Sequence, residues 1–238
     1  MAHYIYQTML VFLTSLLLLS HTLASTDTTT YDTFKLVRQW YPNSCYKAGP
    51  ACISPLPRVV KYWTIHGLWP SKRGSADPVN CTTCHFDPST ISDLVDMMHQ
   101  RWPTYNNGGD ARFWKHEYCK HGTCCTDQLP SPHKYFSTTL TLNNKLDMDK
   151  LLKNAGIVPD PRESYTFDQL DKAMKKKATY WCRTVAEEDG SSRQLVYQIS
   201  VCMHKKLAWI DCSAQSKKCN RAKPFYLLPF KKDITDEL

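Results

Sequence analysis

Apolar and aromatic residues form short β-prone runs towards both ends of the chain, and amphipathic helical patterns fill the middle. The predicted strands are Phe34–Trp40, Val59–Gly67, Gln194–Cys202 and Lys206–Asp211. They are rich in β-branched and aromatic residues and show partial alternation, as in Val196, Gln198 and Ser200 against Tyr197, Ile199 and Val201.

A helical stripe follows the dipeptide Asp87-Pro88, which is typical of a helix start, and it stops before Pro103. Its apolar positions are Ile91, Leu94, Val95, Met98 and Trp102. Further helices are predicted at Pro132–Asn144, at Met148–Ala155 after the cap Asp147, and at Phe167–Ala178 after a capping box beginning at Thr166. We therefore expect an α+β fold, with one domain built on a central, mainly antiparallel sheet flanked by helices.

The segment 112–120 is also predicted to be helical, because it contains no glycine or proline before Gly122. The surrounding sequence FWKHEYCKHGTCC, residues 113–125, combines histidines, a glutamate, lysines and cysteines. At about 100° per residue, one arc of roughly 140° holds Phe113, His116, Glu117, Lys120 and His121. Lys115, Tyr118 and Cys119 point elsewhere, so the polar groups could share one cleft.

The two ends of the chain resemble targeting signals, although the C-terminal resemblance is imperfect and an ordinary polar tail is the alternative there. Residues 1–24 contain no charged side chain of the Lys, Arg, Asp or Glu type, include the apolar run 9–19 and end in Thr22-Leu23-Ala24, which predicts a signal peptide. The run is short for a membrane span, and no second one follows. The last four residues, Thr235 to Leu238, resemble a KDEL-type retrieval signal with Thr in the first position, so the endoplasmic reticulum lumen is an alternative to secretion or a lysosome-like lumen.

Composition adds two constraints. All eleven cysteines lie after the leader, and an oxidising compartment favours disulfides; an odd number leaves at least one thiol unpaired or bonded to another molecule. The net charge of +8 favours polyanionic partners, which include nucleic acid, acidic glycans and anionic membranes.

The histidine-rich segment is open to a metal-dependent and a metal-free interpretation. Its HExxxH spacing does not match the HExxH motif of zinc proteases, where both histidines lie one turn apart. A structural zinc site from Cys81 and Cys84 with Cys119 or Cys124 is a further alternative, although the same cysteines suit disulfides in a secreted chain. We therefore expect neither a metal nor another cofactor.

A second motif, YWTIHGLWP at residues 62–70, places His66 at the end of a β-prone run between Trp63 and Trp69. Together with FWKHEYCKHGTC, it resembles the two active-site segments of the ribonuclease T2 family in order and separation. Looser similarity extends from about Leu36 to Pro229. The resemblance implies a catalytic domain over residues 25–238, with a core at about 34–230.

The resemblance implies a metal-free endoribonuclease that cleaves single-stranded RNA, but not DNA, through a 2′,3′-cyclic phosphate. His121 matches the family's general base and His66 its general acid, while Glu117 and Lys120 match the pair that stabilises the transition state. His116 matches a phosphate contact, and Trp69 and Phe113 match aromatic residues of the base sites; each aromatic could equally pack in the core. Ser71 stands where the family often has a base-contacting Asp, which leaves base preference open.

The family pattern also implies four disulfides, namely Cys45–Cys52, Cys81–Cys124, Cys182–Cys219 and Cys202–Cys212. Cys84, Cys119 and Cys125 are then extra, and we expect one further bridge from Cys84 and one spare thiol, which makes a covalent dimer conceivable. Asn80 begins the sequon Asn80-Cys81-Thr82, a candidate glycosylation site with an unfavourable central cysteine. A secreted binding or effector protein on the same fold, with incidental RNA cleavage, is the rival hypothesis. Oligomeric state is not predicted.

Overall fold

The computed structural model describes residues 31–48, 52, 61–212 and 219–230. The predicted signal peptide, the C-terminal retrieval sequence and the first two residues of the predicted strand at Val59 lie outside these ranges. No helix among the described residues is long and apolar enough to cross a membrane.

Six strands form one sheet. Their bounds are Thr33–Gln39 (β1), Thr64–Ser71 (β2), Ser164–Tyr165 (β3), Ala178–Ala186 (β4), Ser192–His204 (β5) and Phe225–Tyr226 (β6). The order is β2-β1-β5-β6-β3, and β4 pairs with β5 off this path. Only the short β5–β6 contact is parallel among the pairings of these strands, so the predicted α+β fold with a mainly antiparallel sheet is confirmed.

Six α-helices accompany the sheet within the described ranges. They are Tyr41–Cys45 (α1), Val95–Arg101 (α2), Asp110–Lys120 (α3), Pro132–Lys145 (α4), Met148–Asn154 (α5) and Phe167–Ala173 (α6). Short 3-10 segments cover Pro88–Leu94 and Gly122–Cys124. The predicted helix after Asp87 is thus split, because Ile91 has non-helical backbone angles (φ −124°, ψ 17°). The predicted capping box at Thr166 is present, with Gln169 as its reciprocal partner.

Two strand predictions were wrong in their bounds or in their type. Strand β2 begins at Thr64, so residues 61–63 of the predicted strand are not part of it. The segment 206–211 contributes only an isolated bridge between Met203 and Trp209. Leu207 has a positive φ of 62°, which turns the chain inside the loop that the Cys202–Cys212 disulfide closes. A turn, not a strand, therefore occupies this segment.

Helix α6 ends at Ala173, five residues before its predicted end, and β4 was missed. Two consecutive lysines, Lys175 and Lys176, have positive φ values of 50° and 58° and reverse the chain. Strand β4 then pairs with β5 over nine residues and buries Tyr180 and Cys182. Pairing with a long neighbouring strand outweighs the weak helical preference of the lysine-rich segment.

The helices cover one side of the sheet and leave polar side chains on part of the other. On β1, Phe34 and Leu36 belong to a core cluster that includes residues of α2, α3 and α4. On β5, Ile199 and Val201 belong to a second cluster beneath α5 and α6. By contrast, Gln198 of β5 lines an open pocket together with His66 of β2. This polar strip of the sheet forms one wall of the candidate site.

Five disulfides join described residues, and they tie loops to the sheet and to α3. Four are the pairings that the family resemblance implies, Cys45–Cys52, Cys81–Cys124, Cys182–Cys219 and Cys202–Cys212. The fifth joins Cys84 to Cys119 and leaves Cys125 as a free, fully buried thiol. All four cysteines proposed for the alternative zinc site are therefore bonded to one another as disulfides. Burial also keeps Cys125 from bonding to a second molecule.

Candidate active site

Strand β2 and helix α3 bring the two sequence motifs together. His66 lies on β2, and its Nε2 atom is 3.6 Å from Oε1 of Glu117 on α3. The backbone at His66 is held by Trp102, whose indole N–H donates to the His66 carbonyl oxygen at 2.8 Å. The structure thus places the centre of one motif directly against the centre of the other.

Glu117 is buried, with 1% of its surface exposed. Its Oε2 atom accepts a hydrogen bond from the Trp69 indole N–H at 2.9 Å. Burial raises the pKa of the Glu117 carboxyl to about 8, although the Trp69 hydrogen bond and the charge of Lys120 act in the opposite direction. A carboxyl with this pKa holds its proton at neutral pH.

The Trp69 ring contacts both histidines. Its ring stacks on that of His121, with centroids 4.8 Å apart and planes inclined by 21°, and it meets His66 edge-on at 5.1 Å. Because the indole N–H is fixed by Glu117, the ring has one orientation and holds His121 in place. Trp69 therefore positions the two histidine rings, an arrangement that its sequence motif did not indicate. The stacked His121 ring already occupies one face of the indole.

His121 follows α3 directly and is 5% exposed. Its Nδ1 atom is buried without a hydrogen-bond partner among the described residues. Burial, as the largest cause, and the nearby charges of Lys120 and the other site histidines together lower the pKa of the imidazole to about 3. The ring is consequently neutral over the whole mildly acidic range.

His66 makes a second contact that fixes its tautomer. Its Nδ1–H donates to the side-chain carbonyl oxygen of Gln198 at 2.9 Å, which leaves Nε2 facing Glu117. Burial lowers the pKa of His66 to about 4, while the Gln198 hydrogen bond raises it. With 29% of its side chain exposed, His66 still reaches the open pocket.

The remaining α3 residues of the predicted arc also border this site. Lys120 is half-buried, and its charge lowers the pKa values of Glu117, His66 and His121. Phe113 packs near His66 with ring centroids 5.7 Å apart, and His116 is exposed. The helical geometry read from the sequence thus sorted these residues correctly, with Trp114 and Tyr118 buried on the core side.

Ser71 is not presented to the site. It is 1% exposed, and its hydroxyl donates to the carbonyl oxygen of Trp69 at 3.3 Å. Its own carbonyl accepts from the backbone N–H of Asp32 at 3.0 Å. The position that the sequence comparison treated as a base contact is therefore part of the strand-end packing in this structure.

Sequence reasoning missed two residues of the site. Gln198 carried a weak signal, because it is a polar position in the middle of an otherwise apolar strand, but its contact with His66 crosses the intervening strand β1. Gly67 lies in the second motif without a predicted role, whereas a Cβ atom there would lie 2.2 Å from Glu117 Oε2 and 2.4 Å from Trp69 Nε1. Both contacts depend on tertiary packing.

The end of α3 that carries Lys120 and His121 is clamped by the loop before the first 3-10 segment. Asn80 donates its backbone N–H to the carbonyl oxygen of Lys120 at 2.8 Å. The adjacent disulfides Cys81–Cys124 and Cys84–Cys119 join the same loop to the helix and its continuation. The Asn80 side chain itself is exposed.

The described residues contain no group of three or more His, Cys, Asp or Glu side chains arranged to hold a metal ion. The polar groups of the site are two imidazoles and one buried carboxyl, which all contact the Trp69 indole, and the ammonium of Lys120, whose charge acts on them. This set supplies proton donors, proton acceptors and positive charge within a few ångströms.

Residues 31–212 match the model of the Ribonuclease T2 family. The chain is 35% identical to Extracellular ribonuclease LE of Solanum lycopersicum over 178 residues, which cover 73% of this chain and 76% of that protein. It is 33% identical to Ribonuclease Oy of Magallana gigas over 209 residues, or 82% of this chain and 95% of the relative.

Solved structures agree with the sequence comparisons. RNase NT in complex with 5′-AMP superposes with a TM-score of 0.72 at 30% identity, covering 84% of this chain and 99% of that one. Ribonuclease MC1 from the seeds of bitter gourd superposes with a TM-score of 0.69 at 27% identity, covering 82% and 100%. From its two active-site motifs, its fold and these relatives, the chain belongs to the Ribonuclease T2 family and is an endoribonuclease.

Proposed function

We propose that this endoribonuclease cleaves single-stranded RNA without a metal, by transferring the 2′-hydroxyl onto the adjacent phosphorus to leave a 2′,3′-cyclic phosphate. The observation that carries the proposal is the pair of imidazoles, His66 and His121, which both contact the Trp69 ring. The reaction needs one group that takes a proton and another that gives one, and two imidazoles in one site suit it.

His121 is the proposed general base. A base must be unprotonated to accept the proton of the 2′-hydroxyl, and burial keeps the pKa of His121 near 3. Stacking on Trp69 fixes the ring, so little reorganisation precedes proton transfer. The imidazole is therefore in its reactive form even in an acidic compartment.

His66 is the proposed general acid, and it acts as a unit with Glu117. Between the pKa of about 4 for the imidazole and that of about 8 for the carboxyl, the two groups together hold one proton, and their facing atoms Nε2 and Oε1 are 3.6 Å apart. Since Gln198 occupies Nδ1, the proton leaves from the Nε2 side towards the departing 5′-oxygen. The pair can thus donate a proton at a pH well above the pKa of the isolated imidazole.

Lys120 is the proposed positive group for the phosphate, and His116 is a proposed phosphate contact. The developing phosphorane carries more negative charge than the bound phosphodiester, so a nearby ammonium stabilises the transition state selectively. Glu117 contributes by holding the shared proton, which it returns as charge builds on the leaving oxygen. Phe113, at the edge of the pocket, is the proposed apolar contact for a base.

The substrate follows from the chemistry. DNA has no 2′-hydroxyl and cannot react by this route. We infer single-stranded RNA because a duplex restrains the in-line approach of the 2′-oxygen and covers the base faces. Base preference is not assigned, since Ser71 is buried.

We infer that the protein acts outside the cytosol, in the secretory lumen or after secretion. The predicted leader and five disulfides favour this, and relatives include an Extracellular and an Intracellular ribonuclease of Solanum lycopersicum. Exposed Asn80 is the proposed glycan acceptor. Endoglycosidase treatment of the expressed, fractionated protein tests both inferences; a cytosolic, unshifted band would contradict them.

The central test is digestion of a labelled RNA oligonucleotide in excess EDTA, beside the same sequence as DNA. Only RNA should be cut, and the first product should carry a 2′,3′-cyclic phosphate terminus. His121→Ala and His66→Ala should each lose at least about a hundredfold in kcat/KM, the usual contribution of a general acid or base. Inhibition by EDTA, or a linear 3′-phosphate as the first product, would reject the mechanism.

A further inference from the structure

The pocket that begins at His66 extends across the sheet, away from α3. It has a volume of about 570 Å³. Gln39 and Gln198 line it near His66, and Arg183, Thr184 and Tyr197 line the part formed by β4 and β5. Of the two histidines only His66 borders it, so the pocket lies on the side of the proposed general acid.

Arg183 is a half-buried cation without a carboxylate partner in the described part of the chain. Its Nη1 donates to the carbonyl oxygen of Ser44 at 2.7 Å, which anchors the guanidinium at the pocket wall and leaves its other N–H groups for further contacts. Arg193 and Arg221, by contrast, pair with Glu187 and Asp171. A half-buried guanidinium that faces a pocket and lacks a counter-charge is suited to an anionic ligand.

Strand geometry fixes the spacing of this cation from the reaction centre. Gln198, which contacts His66, lies three residues from Leu195 on β5, and Leu195 is the register partner of Arg183. The β4–β5 register shifts between Trp181 and Cys182, so the separation is three residues on β5 but two on β4, where Trp181 is the partner of Gln198. At about 3.3 Å per residue, the two positions are roughly 7–10 Å apart along the strands. This distance corresponds to the spacing between successive phosphates of an RNA strand plus the length of an arginine side chain.

The direction of the RNA chain follows from the role of His66. The general acid protonates the 5′-oxygen of the leaving nucleoside, so that nucleoside and everything on its 3′ side lie in the pocket beside His66. We propose that Arg183 binds the phosphate group on the 3′ side of the leaving nucleoside. The enzyme would then recognise two successive phosphates, one at the reaction centre and one at Arg183. This inference rests on the proposed cleavage mechanism.

The test compares three substrates at an ionic strength of about 0.15 M, where distant charges are largely screened. They are a dinucleoside monophosphate, the same molecule with a 3′-terminal phosphate, and the same molecule with a 5′-terminal phosphate. The 3′-phosphate should raise kcat/KM about tenfold, as one charge-assisted contact does, and the 5′-phosphate should have less than half of that effect. This contrast separates a local contact from general attraction by the net charge of +8.

Two variants and a matched control locate the effect. Arg183→Gln should remove the benefit of the 3′-phosphate and leave cleavage of the plain dinucleoside monophosphate within about twofold, whereas Arg183→Lys should keep part of it. Arg193→Gln removes a cation of β5 that pairs with Glu187. This variant should keep the full increase in kcat/KM that the 3′-phosphate gives. A thermal unfolding curve of each variant reports whether loss of the Ser44 contact disturbs the fold.

The outcomes separate this inference from the proposed function. Equal cleavage with and without the 3′-phosphate would overturn the Arg183 subsite and leave the cleavage mechanism intact. An equal loss on all three substrates in Arg183→Gln, with a lowered Tm, would mean that the residue only holds α1. Failure to cleave any of the three substrates would reject the cleavage mechanism itself, and the subsite with it.

Discussion

Gly67 lies so close to Glu117 that a single added carbon would occupy the position of the carboxylate, since a Cβ atom would be 2.2 Å from Glu117 Oε2. Gly67→Ala should therefore displace Glu117 and the Trp69 indole, and lower kcat/KM by at least about a hundredfold. Overpacking of this kind costs roughly 1–3 kcal/mol of unfolding free energy. Steady-state kinetics and urea unfolding measure the two effects.

Gly190→Ala is the control for this substitution. Gly190 has a φ of +82° but no atom within 4 Å of an added Cβ, so alanine there strains the backbone without a clash near the site. Gly190→Ala should lower the free energy of unfolding by about 1 kcal/mol and leave kcat/KM unchanged. Full activity in Gly67→Ala would show that Glu117 is not confined as described.

The pH dependence should have an acidic limb far below the ordinary histidine range. His121 acts only when neutral, and burial lowers its pKa from the usual 6.5 to about 3, so its reactive form persists as the pH falls from 6.5 to about 4. The profile of kcat/KM for a dinucleoside monophosphate reports groups of the free enzyme. An acidic limb near pH 6.5 would contradict a buried, neutral base.

The alkaline limb of the kcat/KM profile should report loss of the one proton that His66 and Glu117 together hold. Glu117→Gln removes the group whose pKa is about 8 and leaves His66 with a pKa of about 4, so the alkaline limb should move to lower pH. Activity near pH 7 should fall by about a hundredfold or more. An unshifted limb with reduced activity would mean that Glu117 does not carry the proton.

The same substitution should stabilise the protein at alkaline pH. A carboxyl whose pKa rises from 4.5 to about 8 on folding favours the folded state fully below pH 4.5, and this contribution is lost as the pH rises through 8. Between pH 4.5 and pH 8.5, the free energy of unfolding of the wild type should therefore fall by roughly 3–5 kcal/mol more than that of Glu117→Gln. Urea unfolding at both pH values, on both proteins, measures the difference; parallel losses would count against a buried neutral carboxyl.

Each of the two site segments could be predicted from the sequence because the residues within it are close together in the chain. The arc of α3 follows from helical periodicity, and His66 lies in a β-prone run that became β2. The contact between Gln198 and His66 spans 132 positions and could not be read from periodicity. For the same reason β4 was missed: its local pattern was ambiguous, and its partner strand β5 determined its structure.

Gln198 should behave as a positioning residue for His66. Its carbonyl oxygen holds the proton on Nδ1 and raises the pKa of His66. Gln198→Leu should lower kcat/KM by about tenfold to a hundredfold and shift the alkaline limb to lower pH, while Gln198→Glu, which adds a negative charge, should shift it to higher pH. The direction of the two shifts distinguishes positioning from a purely structural effect.

Gln194 of the same strand supplies the matched control. It is also buried, but its side-chain amide binds backbone groups around Asn220 and Lys223, away from His66. Gln194→Leu should reduce stability without moving the pH profile. If it shifts the profile as Gln198→Leu does, the effect of both substitutions is transmitted by the strand and not by the His66 contact.

Thiol counting should find one free cysteine that reacts only after unfolding. Cys125 is fully buried, its Sγ–H donates to the Gly122 carbonyl oxygen at 3.3 Å, and burial raises its pKa well above the usual value. Without reductant, alkylation should label no cysteine in the native protein and one in denaturant, and Cys125→Ser should label none in either condition. Labelling of Cys84 or Cys119 without reduction would mean that the bridge beside Lys120 is open, and a reducible dimer would mean that Cys125 is accessible.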